Sequence, residues 1–209
     1  PNVISFCFFY MLLAVKRRQW MPIHTPKWKL HITRGVLITG VAWMVMTSVH
    51  NIPLADFYGL IFMGPIYAAI LAGLFLKEEI TPIQWLILIT GFIGILIIVG
   101  PSFSQFNIGY LTASIQSVLF ALSVIVARMI GNDEEPYMFS LMVGLTISVI
   151  NLPILIWHGM PVPTPLQGGM LVRYGVVLGT ALLLFSYGFA KASSTGVIAP
   201  FQYMQMVWG

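Results

Sequence analysis

Charge is scarce in this chain. Only 8% of its 209 residues are Asp, Glu, Lys or Arg, against about a quarter in soluble domains. A water-soluble fold of this size has nowhere to hide the 58% of residues that are hydrophobic, and mean hydropathy is +0.92. Cysteine is nearly absent. The lone Cys7, set in an apolar stretch, excludes an internal disulfide, reads as a small packed hydrophobe and leaves the redox compartment open. The histidines, His24, His31, His50 and His158, fall at loops or at the ends of apolar runs, and neither HExxH nor GxSxG occurs. An intramembrane enzyme needs a nucleophile with its base, or a metal cluster, at depth. No catalytic residue, metal ligand or cofactor is therefore expected.

What the chain has is long hydrophobic runs. The stretch Pro53 to Pro101 holds two of them, split by Lys77-Glu78-Glu79 and a proline, and each meets the ~20 residues needed to cross hydrocarbon. Over the whole chain such runs fall at about 1–15, 35–49, 54–76, 83–100, 108–127, 137–157, 170–190 and 195–209. They lack the alternating polarity of barrel strands, so the expected fold is an all-α integral membrane bundle. The first run, Val3 to Val15, is short for a span, and VIAPFQYMQMVWG ends without a polar flank. Both are read as helices cut by the limits of a fragment.

The cations set the orientation. Lys16, Arg17, Arg18, Lys27, Lys29, Arg34, Lys77, Arg128 and Lys191 all fall in one alternate set of loops, and only Arg173 belongs to the other. Positive loops stay cytoplasmic, which assigns 16–34, 77–82, 128–136 and 190–195 to that side. The net charge of +4 is thereby explained without a nucleic-acid partner. Helix punctuation agrees: Thr81-Pro82-Ile83-Gln84 reads as a capping box, and Asn107 and the run Asp133 to Pro136 are placed to open the next two helices.

Placing Ala55 over Thr195 aligns HNIPLADFYGLIF with AKASSTGVIAPFQ, each a tight turn followed by a helix with small residues and a proline. Repeats of opposite orientation are a mark of secondary transporters. The first stretch continues with Leu76, Glu78, Thr81 and Pro82 in a Leu-x-Glu-x-x-Thr-Pro linker and a Gly-spaced helix, and the second is YGFAKASSTGVIAPFQYMQMVWG. Together they resemble the drug/metabolite transporter superfamily, and within it the EamA-type ten-helix transporters. The resemblance implies an inverted repeat of two five-helix bundles, with about eight helices present. Residues 1–102 would be helices two to five and 103–209 helices six to nine, the last truncated. It also implies a multi-pass protein of the inner membrane that moves a small metabolite by alternating access. Relatives handle amino acids, aromatic compounds, S-adenosylmethionine or riboflavin, so the substrate stays open. The expected partners are the lipid bilayer, a small-molecule metabolite and a second copy in a homodimer. The alternative is a polytopic sensor or receptor that does not transport.

Candidate cavity residues are polar or aromatic groups at bilayer depth, where a lipid-facing position rarely tolerates them. Pro65 and Pro200 interrupt corresponding helices and could free carbonyls for a site, or simply kink packed helices. Tyr67 lies mid-helix near the first, and Gln202, Tyr203 and Gln205 follow the second. Thr112, Gln116 and Ser123 form a stripe along one helix. For Gln116 and Gln202, cavity lining and interhelical hydrogen bonding both remain open. Trp43, Tyr187 and Trp208 could stack on a planar ligand, or belong to core and interface belt. Asp56 reads first as a helix N-cap and alternatively as carrier of a coupling proton, with His50 beside it. Gly91/Gly94 and Gly175/Gly179 are expected to permit close helix approach, and Met44/Met46 and Met204/Met206 to fill the core.

Overall fold

A computed structural model describes residues 25–102, 107–131, 134, 136–157, 159 and 163–205. The first apolar run with Cys7, as well as His24, Asp133, His158, Met206 and Trp208, lies outside the described residues. The elements are α1 (Trp28–Asn51), α2 (Leu54–Ile61) and α3 (Gly64–Leu71), the last continuing into a π-helical turn (Ala72–Leu76). Then come α4 (Pro82–Val99), α5 (Ile108–Ile130), α6 (Pro136–Trp157), α7 (Pro165–Lys191) and α8 (Thr195–Ile198), which tightens into a 3-10 helix (Ala199–Met204). Taking Leu54–Leu76 as one rod, 6 helices are long and apolar enough to span a membrane, and no strand occurs among the described residues. This is an all-α, multi-pass integral membrane protein.

Local chemistry explains three of the helix starts. Thr81 Oγ1 accepts from the Gln84 N–H at 3.3 Å while Gln84 Oε1 accepts from the Thr81 N–H at 2.8 Å, the reciprocal pattern of a capping box. Asn107 caps α5 by accepting from the Gly109 N–H at 2.8 Å. Thr164 and Gln167 form a second box, at 3.4 and 2.9 Å, which carries α7 back to Pro165 from the expected 170. Of the acidic run before α6, Glu134 accepts from the Thr25 hydroxyl.

One expectation needs correcting. Helix α1 begins at Trp28, so Lys29 and Arg34 belong to a helix and not to the loop 16–34. Arg34 is only 2% exposed. It is tolerated because its guanidinium donates to the Phe139 carbonyl at 3.1 Å and to the Ser186 hydroxyl, replacing the water it loses. His31, fully buried one turn earlier, sets its ring edge-on to Phe139 with centroids 5.6 Å apart.

Helix α5 is the spine of the bundle. It runs antiparallel to α1: Asn107 reaches the Asn51 carbonyl, Thr112 meets Ser48 at 2.7 Å, Gly40 faces Leu119, and Lys27 donates to the Ile130 carbonyl. On its other side Ser117 donates to the Leu60 carbonyl at 3.0 Å. That contact falls where α2 gives way to α3, because Pro65 has no N–H for the preceding turn. Helix α6 lies parallel to α1, with Gly35 so close to Thr146 that a Cβ on the glycine would fall 2.4 Å from the Thr146 Cβ. Helix α6 also approaches α7, the Ser140 hydroxyl donating to the Gly179 carbonyl at 3.0 Å. The residues flanking 77, 130 and 192 therefore gather at one end of the bundle, and those flanking 51, 102 and 107 at the other. That is the alternation the cations require.

Candidate functional site

The last described segment, Ile198 to Gln205, divides two cavities. One, of about 360 Å³, lies between α5, α7 and this segment, and its wall includes Phe120, Phe185, Phe189, Gln202 and Gln205. The other, of about 390 Å³, lies between the segment and α4, against Gln84, Ile87, Pro200 and Met204. The first is the more informative. Its rings are in mutual contact, Phe120 to Phe185 at 5.5 Å and Phe185 to Phe189 at 4.7 Å between centroids. The buried Gln202 amide nitrogen has no hydrogen-bond partner among the described residues. A buried donor left unpaired costs free energy, which a bound acceptor would return.

The segment's shape follows from its sequence. Pro200 sits at the start of the 3-10 stretch, where the ring removes an N–H from the α-helical ladder. Tyr203 packs its ring on Gly91, where a Cβ would fall 2.6 Å from Tyr203 Cδ2, so α4 can approach only because residue 91 is glycine. The Tyr203 hydroxyl is buried and also without a partner.

The remaining candidates scatter. Tyr67 packs behind the phenylalanines, against the buried cluster of Ala68, Ala121, Val124 and Phe189, with its hydroxyl 3.7 Å from Met63 Sδ. Ser123 turns its hydroxyl to the Phe120 carbonyl of its own helix at 2.7 Å. Gln116 is buried with its oxygen unpartnered. It lies on α5 one turn from Thr112, which meets α1, and one turn from Phe120, but does not line the aromatic cavity. Trp43 is 46% exposed and donates to Asn151 at 3.2 Å on α6. Tyr187 is half-buried under the Lys191 ammonium, 5.7 Å from its ring centroid. Of the sequence candidates, Gln202 and Gln205 line the aromatic cavity, with Tyr67 next behind it.

Asp56 is not a helix N-cap. Pro53 precedes the first helical residue, and Asp56, fully buried, instead accepts from the Ser102 N–H at 2.6 Å and from the Tyr110 hydroxyl. The burial of its neighbours draws the carboxylate inward, across to α5. His50 stays exposed, its Nδ1 2.7 Å from the Met46 carbonyl. Among the described residues, no three His, Cys, Asp or Glu side chains converge as a metal site.

Sequence reasoning missed Phe120, Phe185 and Phe189. The one available signal was the spacing of Phe185 and Phe189, which puts both rings on one helix face. It also missed the ion pair between Glu78 and Arg128, which lie 50 residues apart, and placed Arg128 in the loop 128–136 although it belongs to the last turn of α5.

Comparison with known proteins now bears on this geometry. Residues 2–100 match the EamA-like transporter family. Over 188 residues the chain is 29% identical to the pseudopaline exporter of Pseudomonas aeruginosa, covering 85% of this chain and 64% of that one. Residues 2–100 thus carry an EamA-type domain, the family of the drug/metabolite transporter superfamily that the sequence resembles. The chain is also 25% identical to the riboflavin transporter of Rhizobium johnstonii over 206 residues, 97% of this chain and 67% of the relative. With the S-adenosylmethionine uptake transporter of Rickettsia bellii the identity is 25% over 180 residues, 85% of this chain and 60% of that one. The chain thus spans less than two thirds of the exporter's length. A crystal structure of 14% sequence identity superposes with a TM-score of 0.75, covering 99% of this chain and 76% of its own, which shows the fold alone.

Proposed function

We propose that this protein is a secondary transporter of the cytoplasmic membrane. Two repeats, 1–102 and 103–209, rock about a central site to carry a small metabolite by alternating access. The observation that carries this reading is the cavity of about 360 Å³ between α5, α7 and the Ile198 to Gln205 segment. Its phenylalanine wall offers flat apolar faces, and the unpartnered Gln202 amide offers a directed hydrogen bond. No charged side chain lines it, so the cargo is held there by shape, stacking and hydrogen bonding rather than by ion pairing. The relatives named for riboflavin and S-adenosylmethionine support this class of cargo, since both names denote molecules with a planar heterocycle. The bias of cations to the end that holds Lys77 supports the cytoplasmic placement of that end. Assembly as a homodimer belongs to the same reading.

Full-length protein reconstituted in liposomes tests the proposal against a broad metabolite panel. Movement of at least one metabolite is expected, with Gln202→Ala raising its half-saturation concentration about fivefold, the loss of one net hydrogen bond. If nothing in the panel moves in either direction, the reading fails.

A further inference from the structure

We infer that Glu78 is a positioning residue of the transport cycle: paired with Arg128, it latches the segment that divides the two cavities, and its release exposes the Gln202 cavity toward the Lys77 end. The inference rests on the transport reading above.

Glu78 is aimed by its backbone. The rod Leu54–Leu76 ends in a π-helical turn, and Lys77 then takes φ 55°, a left-handed conformation that residues other than glycine adopt sparingly. This swings Glu78 off its own helix and across to α5. There Glu78 Oε1 accepts from Arg128 Nε at 3.1 Å and from Nη2. Its second oxygen accepts from the Thr195 N–H at 2.6 Å. Ser194, the residue at the cap position of α8, makes no cap bond with its own side chain, so the acceptor comes from Glu78, far away in sequence.

Arg128 completes the grip from the other side. Its Nη1 donates to the Phe189 carbonyl at 3.2 Å and to the Ala192 carbonyl, and Nη2 reaches the Ser193 carbonyl at 3.4 Å. One ion pair thus holds the end of α7, the start of α8 and the linker after Leu76. Phe189 and Gly188 lie just before this turn, Ile198 and Gln202 just after it, and all four line the aromatic cavity. Separation of Glu78 from Arg128 therefore frees both sides of the cavity wall at once.

The pair is also built to open. Its side chains are 12% exposed at Arg128 and 13% at Glu78, so water reaches the rim of the pair. A fully buried pair could separate only by stranding two charges in a dry interior. Gln84 Nε2, 3.5 Å from the Ser194 hydroxyl, is the turn's weaker second hold, on α4.

The test reads sided exposure. In full-length protein in proteoliposomes, Gln202→Cys is the reporter on a background with all other cysteines changed to serine, labelled from each face by a membrane-impermeant thiol reagent. With Glu78→Gln, labelling from the Lys77 face is expected to rise about tenfold and labelling from the opposite face to fall. Arg128→Gln is expected to do the same, and serves if the first variant does not accumulate. The charge exchange Glu78→Arg with Arg128→Glu is expected to return the ratio of the two faces toward wild type. Unchanged labelling in both single variants, or an equal rise from both faces as in general loosening, overturns the latch. Labelling needs no substrate, so these outcomes are distinct from failure of the liposome transport assay.

Discussion

Two carboxylates stand at opposite ends of the bundle, and the protein treats them differently. Asp56 has no exposed surface, beside the buried cluster of Ile52, Phe57, Tyr110 and Ala113, and is held by the Ser102 N–H and the Tyr110 hydroxyl. Glu78 keeps 13% of its side chain exposed and is held by a guanidinium that also grips three carbonyls. The first arrangement joins α2, the chain after α4 and the start of α5 around one buried carboxylate. That joint cannot part without stranding the Asp56 charge in the interior. The second joins elements that also form a cavity wall, with water at hand. Burial makes one end a fixed corner and partial exposure makes the other a clasp.

That contrast can be broken by stability measurements in detergent. Asp56→Ala is expected to cost about 3 kcal/mol, since it takes the acceptor from the buried Tyr110 hydroxyl and from the Ser102 N–H and leaves a cavity at a fully buried position. Thermal unfolding followed by size-exclusion fluorescence checks it. If Asp56→Ala is no worse than Glu78→Ala, the two ends are not mechanically different. Rigidity should extend along α1 and α6, where Gly35→Ala sets a methyl against Thr146 and is expected to cost about 2 kcal/mol. Gly94, with nothing within 4 Å, is its control, and Gly94→Ala should stay within about 0.5 kcal/mol of wild type.

At the other end the expected stability effects are smaller. Glu78→Gln should lower stability by only about 1 kcal/mol, because the pair is partly solvated. A loss as large as that of Asp56→Ala would mark Glu78 as a second fixed corner. Gln202→Ala should be the mildest of all, within about 0.5 kcal/mol, because it removes an amide that already lacks a partner. Its consequence is expected in transport kinetics and not in the melting curve.

The comparison also explains which features were legible in the sequence. Thr81 with Gln84, and Asn107, could be read directly because a cap acts on an N–H within three residues of itself. Spans could be read because crossing a bilayer demands a contiguous apolar run. Asp56 was misread for the converse reason. A short polar side chain at a helix start can satisfy its own turn or another strand of chain, and only the packing of α5 against α2 selects the second. Arg34 reads as a loop cation by the same local logic, whereas Phe139 and Ser186, more than a hundred residues away, make it a buried one.

The sequence by itself determined that this chain lives in a membrane, where α4 and α5 begin, and which loops share a face. Each of these depends on hydropathy, capping or charge over a few neighbouring residues. Only the tertiary structure decided that Gln202 would face phenylalanines from α5 and α7, and that Glu78 would cross to Arg128 and Thr195. Both are pairings between distant segments, and their energy exists only once α5 has brought those segments together.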